Sequence, residues 1–345
     1  MPHRRGKTSL SSSAARDQNG PTLTHFEGES VTMRAVGLAV KTTVKPVVTA
    51  WAATPQLPWP YALADYLGRP LRRVRGTTVR QVRLRHCSAE EVTPPGPAPS
   101  RHVLYLHGGA FVVGGKHLHR QLISKVAHAM AATALAVEYR KLPKHPIRSA
   151  IDDGLDGYRH LLAQGISPEQ IIFVGDSAGG FLLFMTAIAA LREGLPAPAG
   201  IVALSPLTDF DHAGKLDAPS ADSCVVFSRR AVDTFGEFAH IDRTSGSSTA
   251  LRLNSPVECD LHGLPPTLIQ ACTGEMLYPD AQLMARRLAE SGVSCELQTW
   301  ENSVHVFQAA AGIAPEAAQA VAQIGAFAER VAPATGTGFV ERAIG

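Results

Sequence analysis

The chain has little that would commit it to nucleic acid, to a membrane interior or to an oxidising compartment. Its 33 Lys and Arg nearly balance 30 Asp and Glu, a formal net charge of +3 with the two signs interleaved, so no phosphate-binding surface is marked. The one basic cluster is Arg72, Arg73, Arg75, Arg80, Arg83 and Arg85. Within it Arg83 and Arg85 alternate with Val82 and Leu84, the pattern of a strand with its charges in solvent, and no nucleic-acid partner is expected. No run of 18 or more apolar residues occurs, so no membrane span is expected. Cysteine is sparse and odd in number: Cys87, Cys224, Cys259, Cys272 and Cys295 stand in no Cys-x-x-Cys pair. That excludes a disulfide framework and a thiolate zinc site, and points to reduced thiols in the cytoplasm. Met1 to Gly20 lacks the apolar stretch of a secretory leader; its Arg and Ser are shared by transit peptides and ordinary polar tails alike. His117-x-His119 has no Cys or acidic ligand nearby and reads as the surface start of a helix, so neither a metal nor a cofactor is expected. No internal repeat is evident.

What is present is an alternation of short apolar runs with helical stretches. Val103 to Leu106, Ala132 to Val137, Ile171 to Val174, Ile201 to Leu204 and Thr267 to Cys272 read as strands, continuous rather than alternating. Such runs separated by helices argue for an α/β fold, a mostly parallel central sheet flanked by helices on both faces. Ala317, Val321, Ile324, Ala328 and Val331 give the last helix an apolar face for packing on that sheet.

Three segments at strand ends carry chemistry. Gly175-Asp176-Ser177-Ala178-Gly179-Gly180 follows the apolar run Ile171 to Val174 and opens a helix, the setting of a nucleophile elbow in which glycines allow a turn too tight for a Cβ. Upstream, Val103 to Leu106 runs into His107-Gly108-Gly109-Ala110-Phe111. The N–H groups of Gly108 and Gly109, with that of Ala178, are candidates to hold an oxyanion. Downstream, Thr267 to Cys272 runs into Thr273-Gly274-Glu275, and His305 lies on the loop after the strand that ends at Trp300. A serine hydroxyl needs a base to take its proton, and imidazole titrates near neutrality. Ser177, Glu275 and His305 therefore occur in the order that a serine hydrolase on such a sheet requires. Asp280 competes with Glu275 for the acid, but it lies in the first turn of the following helix, where an acidic residue is expected for capping alone.

These motifs resemble those of the hormone-sensitive-lipase family of esterases, a branch of the α/β hydrolases. His107 to Phe111 is similar to that family's His-Gly-Gly-Gly-Phe, and Gly175 to Gly180 reproduces its elbow. Tyr139-Arg140-Lys141-Leu142-Pro143-Lys144-His145-Pro146 and Leu204 to Asp209 are similar to two further segments of it. Ala110 replaces the third glycine, Glu275 stands where most members carry Asp, and Lys144 replaces a Glu. The resemblance implies an α/β-hydrolase fold with a helical cap and a cofactor-free serine carboxylesterase. It further implies a small-molecule ester substrate of short to medium acyl chain, Phe111 and Asp176 near the bound substrate, and a homodimer. An amidase or deacetylase would use the same triad. A non-catalytic ligand-binding relative would have lost a triad member, and all three are present here.

Outside the core, residues 1–30 are polar and read as a disordered tail. Residues 31–75, with Trp51, Trp59, Tyr61 and Tyr66, read as N-terminal cap helices, and residues 76–345 as the catalytic domain. Within that domain residues 209–254 contribute to the cap, with a helix over Ser228 to His240. Val92 to Ser100, with four prolines, reads as a surface loop.

Overall fold

The structure, a computed structural model, describes residues 12–16, 20–244 and 253–334. Its strands in chain order are β1 (Ser12–Arg16), β2 (Thr22–Phe26), β3 (Thr78–Arg83), β4 (Ser88–Thr93), β5 (Arg101–Leu106), β6 (Ala132–Glu138), β7 (Ile171–Asp176), β8 (Gly200–Leu204), β9 (Thr267–Cys272) and β10 (Cys295–Trp300). They form one sheet in the order β1-β2-β10-β9-β8-β7-β5-β6-β4-β3. From β2 to β6 all neighbours run parallel; β4 and β3 at one edge, and β1 at the other, run antiparallel.

The helices are α1 (Val31–Ala53), α2 (Tyr61–Tyr66), α3 (Arg120–Ala129), α4 (Ile147–Ala163), α5 (Ala178–Arg192), α6 (Ala213–Asp217), α7 (Ser220–Ser223), α8 (Arg229–Thr244), α9 (Tyr278–Glu290) and α10 (Pro315–Val331). Side chains on a strand alternate between faces, and on β5 this divides the core. Leu104 and Leu106 join Leu155 of α4, Phe181 of α5 and Met284 of α9, whereas Val103 and Tyr105 join Ile123 and Val126 of α3 and Ile324 and Phe327 of α10. Every residue of β7, β8 and β9 is buried, which is why those strands are apolar without alternation. All five cysteines are buried free thiols.

The expectation of a disordered tail over residues 1–30 fails at Ser12–Arg16, which pairs with β2, and again in its second half. Thr22–Phe26 forms a strand parallel to β10, Phe26 is 4% exposed, and its ring stacks on Trp300 at a centroid distance of 4.4 Å. Ser30 then caps α1, its Oγ accepting from Met33 N–H at 3.0 Å and donating to Glu316 at 2.9 Å. The strand escapes a pattern reading because its apolar content is two residues, one of them exposed; order comes from the open edge of β10 and the Trp300 ring. Residues 1–11 and 17–19 lie outside the described residues.

The two expected cap segments meet. α1 packs along α8, the Thr234 hydroxyl donates to Ala52 O at 3.1 Å, and Lys45 Nζ donates to Cys224 O at 2.7 Å. Residues 245–252 of the second segment lie outside the described residues.

Candidate active site

The carboxyl ends of β5, β7, β9 and β10 deliver the candidate residues to one rim of the sheet, where open α/β sheets bind ligands. Ser177 joins β7 to α5 at φ +52° and ψ −119°. A side chain is rarely found there, at a cost of order 1–3 kcal/mol, and the surroundings fix it. The Ser177 N–H donates to Leu204 O at 2.8 Å, and its carbonyl accepts from Gly180 at 2.8 Å and Leu207 at 3.0 Å. A Cβ on Gly175 would lie 2.5 Å from Gly179 O, and one on Gly179 would collide with Leu106 O. The Gly-x-Ser-x-Gly pattern is therefore a packing requirement of this turn.

Of the two competing acids, Glu275 is the one brought to His305. Its Oε2 lies 2.6 Å from His305 Nδ1, its Oε1 accepts from Cys272 N–H at 2.9 Å, and the residue is 2% exposed. The Cys272 thiol, pushed up to about 12 by burial and then by Glu275, stays protonated and donates to Ser303 O at 2.9 Å. Val306 N–H donates to the Ser205 hydroxyl at 3.1 Å, tying the His305 loop to the segment after β8. The Ser177 N–H bonds that strand's last residue, Leu204, so His305 and Ser177 share a frame. The Phe227 and His305 rings lie T-shaped, their centroids 5.0 Å apart. His305 Nε2 is buried and has no hydrogen-bond partner among the described residues.

Asp280 is elsewhere, and its carboxylate does not cap α9. It is 2% exposed, accepts from Lys215 Nζ at 2.7 Å, Thr208 N–H at 2.8 Å and Asp209 N–H at 3.0 Å, and holds the chain after β8 to α9. Burial raises its carboxyl against the opposing pull of Lys215.

In the loop after β5, Gly108 lies against Asp176. A Cβ there would collide with the Asp176 carboxylate, and the Gly108 N–H is one of the groups that keep that carboxylate ionised. Gly109 (φ +114°), Ala110 (φ +51°) and Phe111 (φ +58°) then turn the chain through the left-handed region. The N–H groups of Gly109, Ala110 and Ala178 have no hydrogen-bond partner among the described residues. A Cβ on Gly109 would strike Val113 O, so this turn too requires its glycine.

Asp176 and Phe111, expected near the substrate, are both buried. Asp176 is 2% exposed and its oxygens are taken by Tyr105 Oη at 2.7 Å and His119 Nε2 at 3.4 Å. Phe111 is 1% exposed, edge-on to Phe181 at 5.5 Å and stacked with Phe235 at 5.9 Å. One belongs beneath the loop and the other to the core behind it.

His119, read from sequence as a surface position, is 8% exposed. Its Nε2 faces Asp176 and its Nδ1 faces Gly115 O at 3.3 Å. Two acceptors on one ring favour the imidazolium. Burial alone would lower its pKa, but Asp176 and the Gly115 carbonyl raise it above the ordinary imidazole value. Asp176 is held below the usual carboxylate range, burial being outweighed by His119, Tyr105 and Gly108. Next to it His107 stacks on Tyr139 at 4.2 Å and is kept neutral by burial, Lys141 and His119. Nothing in the sequence marks His119, because its role depends on a carboxylate 57 positions away. His86, Asp153 and Asp156 converge within 4.8 Å, but Arg140 already donates to both oxygens of Asp153 at 3.0 Å.

Comparison with known proteins agrees in extent. A family model for the alpha/beta hydrolase fold matches residues 103–309. The chain is 37% identical over 306 residues to a carboxylesterase/phospholipase, LipF, of Mycobacterium tuberculosis, covering 87% of this chain and 82% of that one. It is 38% identical over 299 residues to an esterase of the same organism, LipU, covering 85% and 99%. Among solved structures, an esterase from the bacterial hormone-sensitive lipase family superposes with a TM-score of 0.77 at 29% identity, over 88% of this chain and 99% of that one. The esterase EstE5 soaked with p-nitrophenyl butyrate gives 0.78 at 28%, over 89% and 100%.

Proposed function

Because this chain belongs to the hormone-sensitive-lipase family of α/β hydrolases and is a carboxylic ester hydrolase, we propose that its reaction runs through Ser177, His305 and Glu275. The observation that carries this reading is the His305 ring: Nδ1 is fixed by a buried carboxylate at 2.6 Å while Nε2 is buried and unpartnered. That nitrogen is the base. It takes the Ser177 proton as Oγ attacks the ester carbonyl, and Glu275 holds the tautomer and stabilises the imidazolium. The tetrahedral oxyanion collects hydrogen bonds from the N–H groups of Gly109, Ala110 and Ala178, which have no other use. Gly108, the other donor candidate by sequence, lies against the Asp176 carboxylate. Collapse expels the alcohol with the proton from Nε2; water, deprotonated by the same nitrogen, then attacks the acyl-serine and releases the acid.

Asp176 and His119 are positioning residues in this scheme. Their buried pair fixes Gly108, and with it the direction in which the next two N–H groups point. The substrates are esters of short to medium acyl chain. A four-carbon acyl ester was the compound soaked into the similar esterase EstE5, and Phe111, Phe181, Phe210 and Phe235 fill the volume behind the oxyanion loop. The test is stopped-flow hydrolysis of a graded p-nitrophenyl ester series beside a p-nitroanilide. A burst of one nitrophenolate per chain, falling turnover beyond medium acyl chains and little anilide cleavage are expected. Absence of a burst under conditions where deacylation is slowed would contradict the acyl-serine.

A further inference from the structure

Charge in this chain is segregated far more sharply than its overall balance suggests. Residues 31–75 hold seven Lys and Arg (Arg34, Lys41, Lys45, Arg69, Arg72, Arg73, Arg75) against the single Asp65, whereas the rest of the chain carries 26 basic against 29 acidic residues. The segment also exposes large apolar side chains: Leu38 64%, Val47 58%, Leu57 52%, Leu63 61% and Leu67 79%. Over its 23 residues α1 buries only Met33 and Ala52 and contains no acidic residue. Val31, Val44 and Tyr66 of the same segment are also exposed, whereas outside it Leu23, Val79, Leu118 and Ile313 stand singly, which is normal for a protein surface. Trp51 Nε1 donates to Tyr61 Oη at 3.0 Å and Trp59 Nε1 to Thr54 O at 2.9 Å, so α1, the turn and α2 form one body.

Four charges of the segment have partners. Arg34 pairs with Glu29, Arg73 with Glu90, Lys45 donates to Cys224 O, and Asp65 accepts from the N–H groups of His117 and Leu118. Lys41, Arg72 and Arg75 are exposed and pair with no carboxylate among the described residues.

We propose that α1, α2 and the basic stretch after them form a docking surface for an anionic lipid bilayer, on which the protein lies without spanning it. Apolar side chains exposed along helices that also carry Lys and Arg, with half-buried Trp, suit an interfacial segment. No described helix is long and apolar enough to cross a membrane. A second copy of this chain fits less well, since a two-fold contact would set one surplus of six positive charges against another. Residues 1–20 are no better, with Arg4, Arg5, Lys7 and Arg16 against Asp17 alone. The position is functional: Gly37 of α1 approaches Val304, the neighbour of His305, and Asp65 holds the chain that leaves the oxyanion loop. A bilayer bound here would lie against the cover of the site. The inference rests on the surface and is independent of the assigned chemistry.

The experiment is partition of the full chain onto sedimented vesicles of phosphatidylcholine alone or mixed with phosphatidylglycerol, at low and high salt, with tryptophan emission as second readout. Two of the three tryptophans are Trp51 and Trp59. Binding to the anionic vesicles, weakened by salt and accompanied by a blue shift, is expected. A neutralised surface arginine or lysine lowers such partition about fivefold, so Lys41→Gln with Arg72→Gln should lower it about 25-fold. Leu38→Ser with Val47→Ser should abolish the blue shift. Both double variants should hydrolyse a soluble acetate ester like the parent, which shows them folded. Failure of the parent to bind anionic vesicles at low salt, or binding untouched by either double variant, would overturn the proposal. So would a homodimer in sedimentation equilibrium that Leu38→Ser with Val47→Ser dissociates, which would assign the face to a second copy.

Discussion

Replacing Glu275 by Gln and Asp280 by Asn should give opposite phenotypes, because the two carboxylates are buried equally but hold different things. Glu275 divides its oxygens between Cys272 N–H at 2.9 Å and His305 Nδ1 at 2.6 Å. A glutamine keeps one acceptor. If its oxygen stays on Cys272, its NH₂ faces Nδ1, which must then be the unprotonated nitrogen. The proton moves to Nε2, and the base is lost. In a serine-protease triad the equivalent acid-to-amide swap costs about 10⁴ in kcat, or about 5.5 kcal/mol of barrier. Volume and the Cys272 bond are preserved, so the melting temperature should move little. Asp280→Asn instead leaves Lys215, 2% exposed, without its countercharge, and breaking such a buried pair costs about 3–5 kcal/mol. At roughly 2 °C per kcal/mol for a large domain the melting temperature should fall by roughly 6–10 °C, with kcat in the surviving fold near the parent value. Steady-state kinetics and differential scanning calorimetry on both variants decide it. A stable, inactive Asp280→Asn beside an active Glu275→Gln would refute the assignment.

Three further outcomes follow from the same geometry. Phe26→Ala removes a ring 4% exposed and stacked on Trp300, and should cost about 3–5 kcal/mol by denaturant unfolding; no change would mean that Thr22–Phe26 contributes nothing to the fold. His119 has a folded-state pKa raised above the ordinary imidazole value, so its stabilisation of the Asp176 pair is complete below about pH 6.5 and lost as pH rises through the folded value. The parent should therefore lose kcat on the alkaline side while KM changes little, and His119→Gln should lose that limb, with a neutral-pH deficit smaller than the about 10²–10³ of a missing oxyanion donor. An unaltered pH profile in His119→Gln would remove His119 from the positioning role. Gly109→Ala places a Cβ against Val113 O at φ +114° and should abolish turnover while circular dichroism stays native; retained activity would move the oxyanion site off this loop.

The catalytic strands were legible because each is buried on both faces, which forces an unbroken apolar run such as Ile171 to Val174. Ser177 was legible because its turn excludes Cβ atoms at Gly175 and Gly179, leaving a local spacing that a reader can see. The proposed acid and base follow from chain order, with Glu275 preferred over Asp280 already from sequence, and the 2.6 Å contact of Glu275 to His305 agrees with that preference. What stayed hidden depends on partners distant in the chain. β2 is ordered by Trp300, Asp176 is buried against Tyr105 and His119, and Phe111 is enclosed by phenyl rings from two other segments. Gly108 is the sharpest case: two glycines in a row look alike as donors, and only the carboxylate behind the first separates them. The basic surplus of residues 31–75 was hidden by averaging, since an overall charge of +3 conceals it.

The nucleophile is tested most directly by intact-mass measurement and peptide mapping after reaction with a fluorophosphonate. One adduct per chain on the peptide containing Ser177, with activity lost in proportion, is the expected result; Ser177→Ala should take up none and hydrolyse no ester while melting as the parent does. Stoichiometric labelling at another residue, or ester turnover persisting in folded Ser177→Ala, would contradict it.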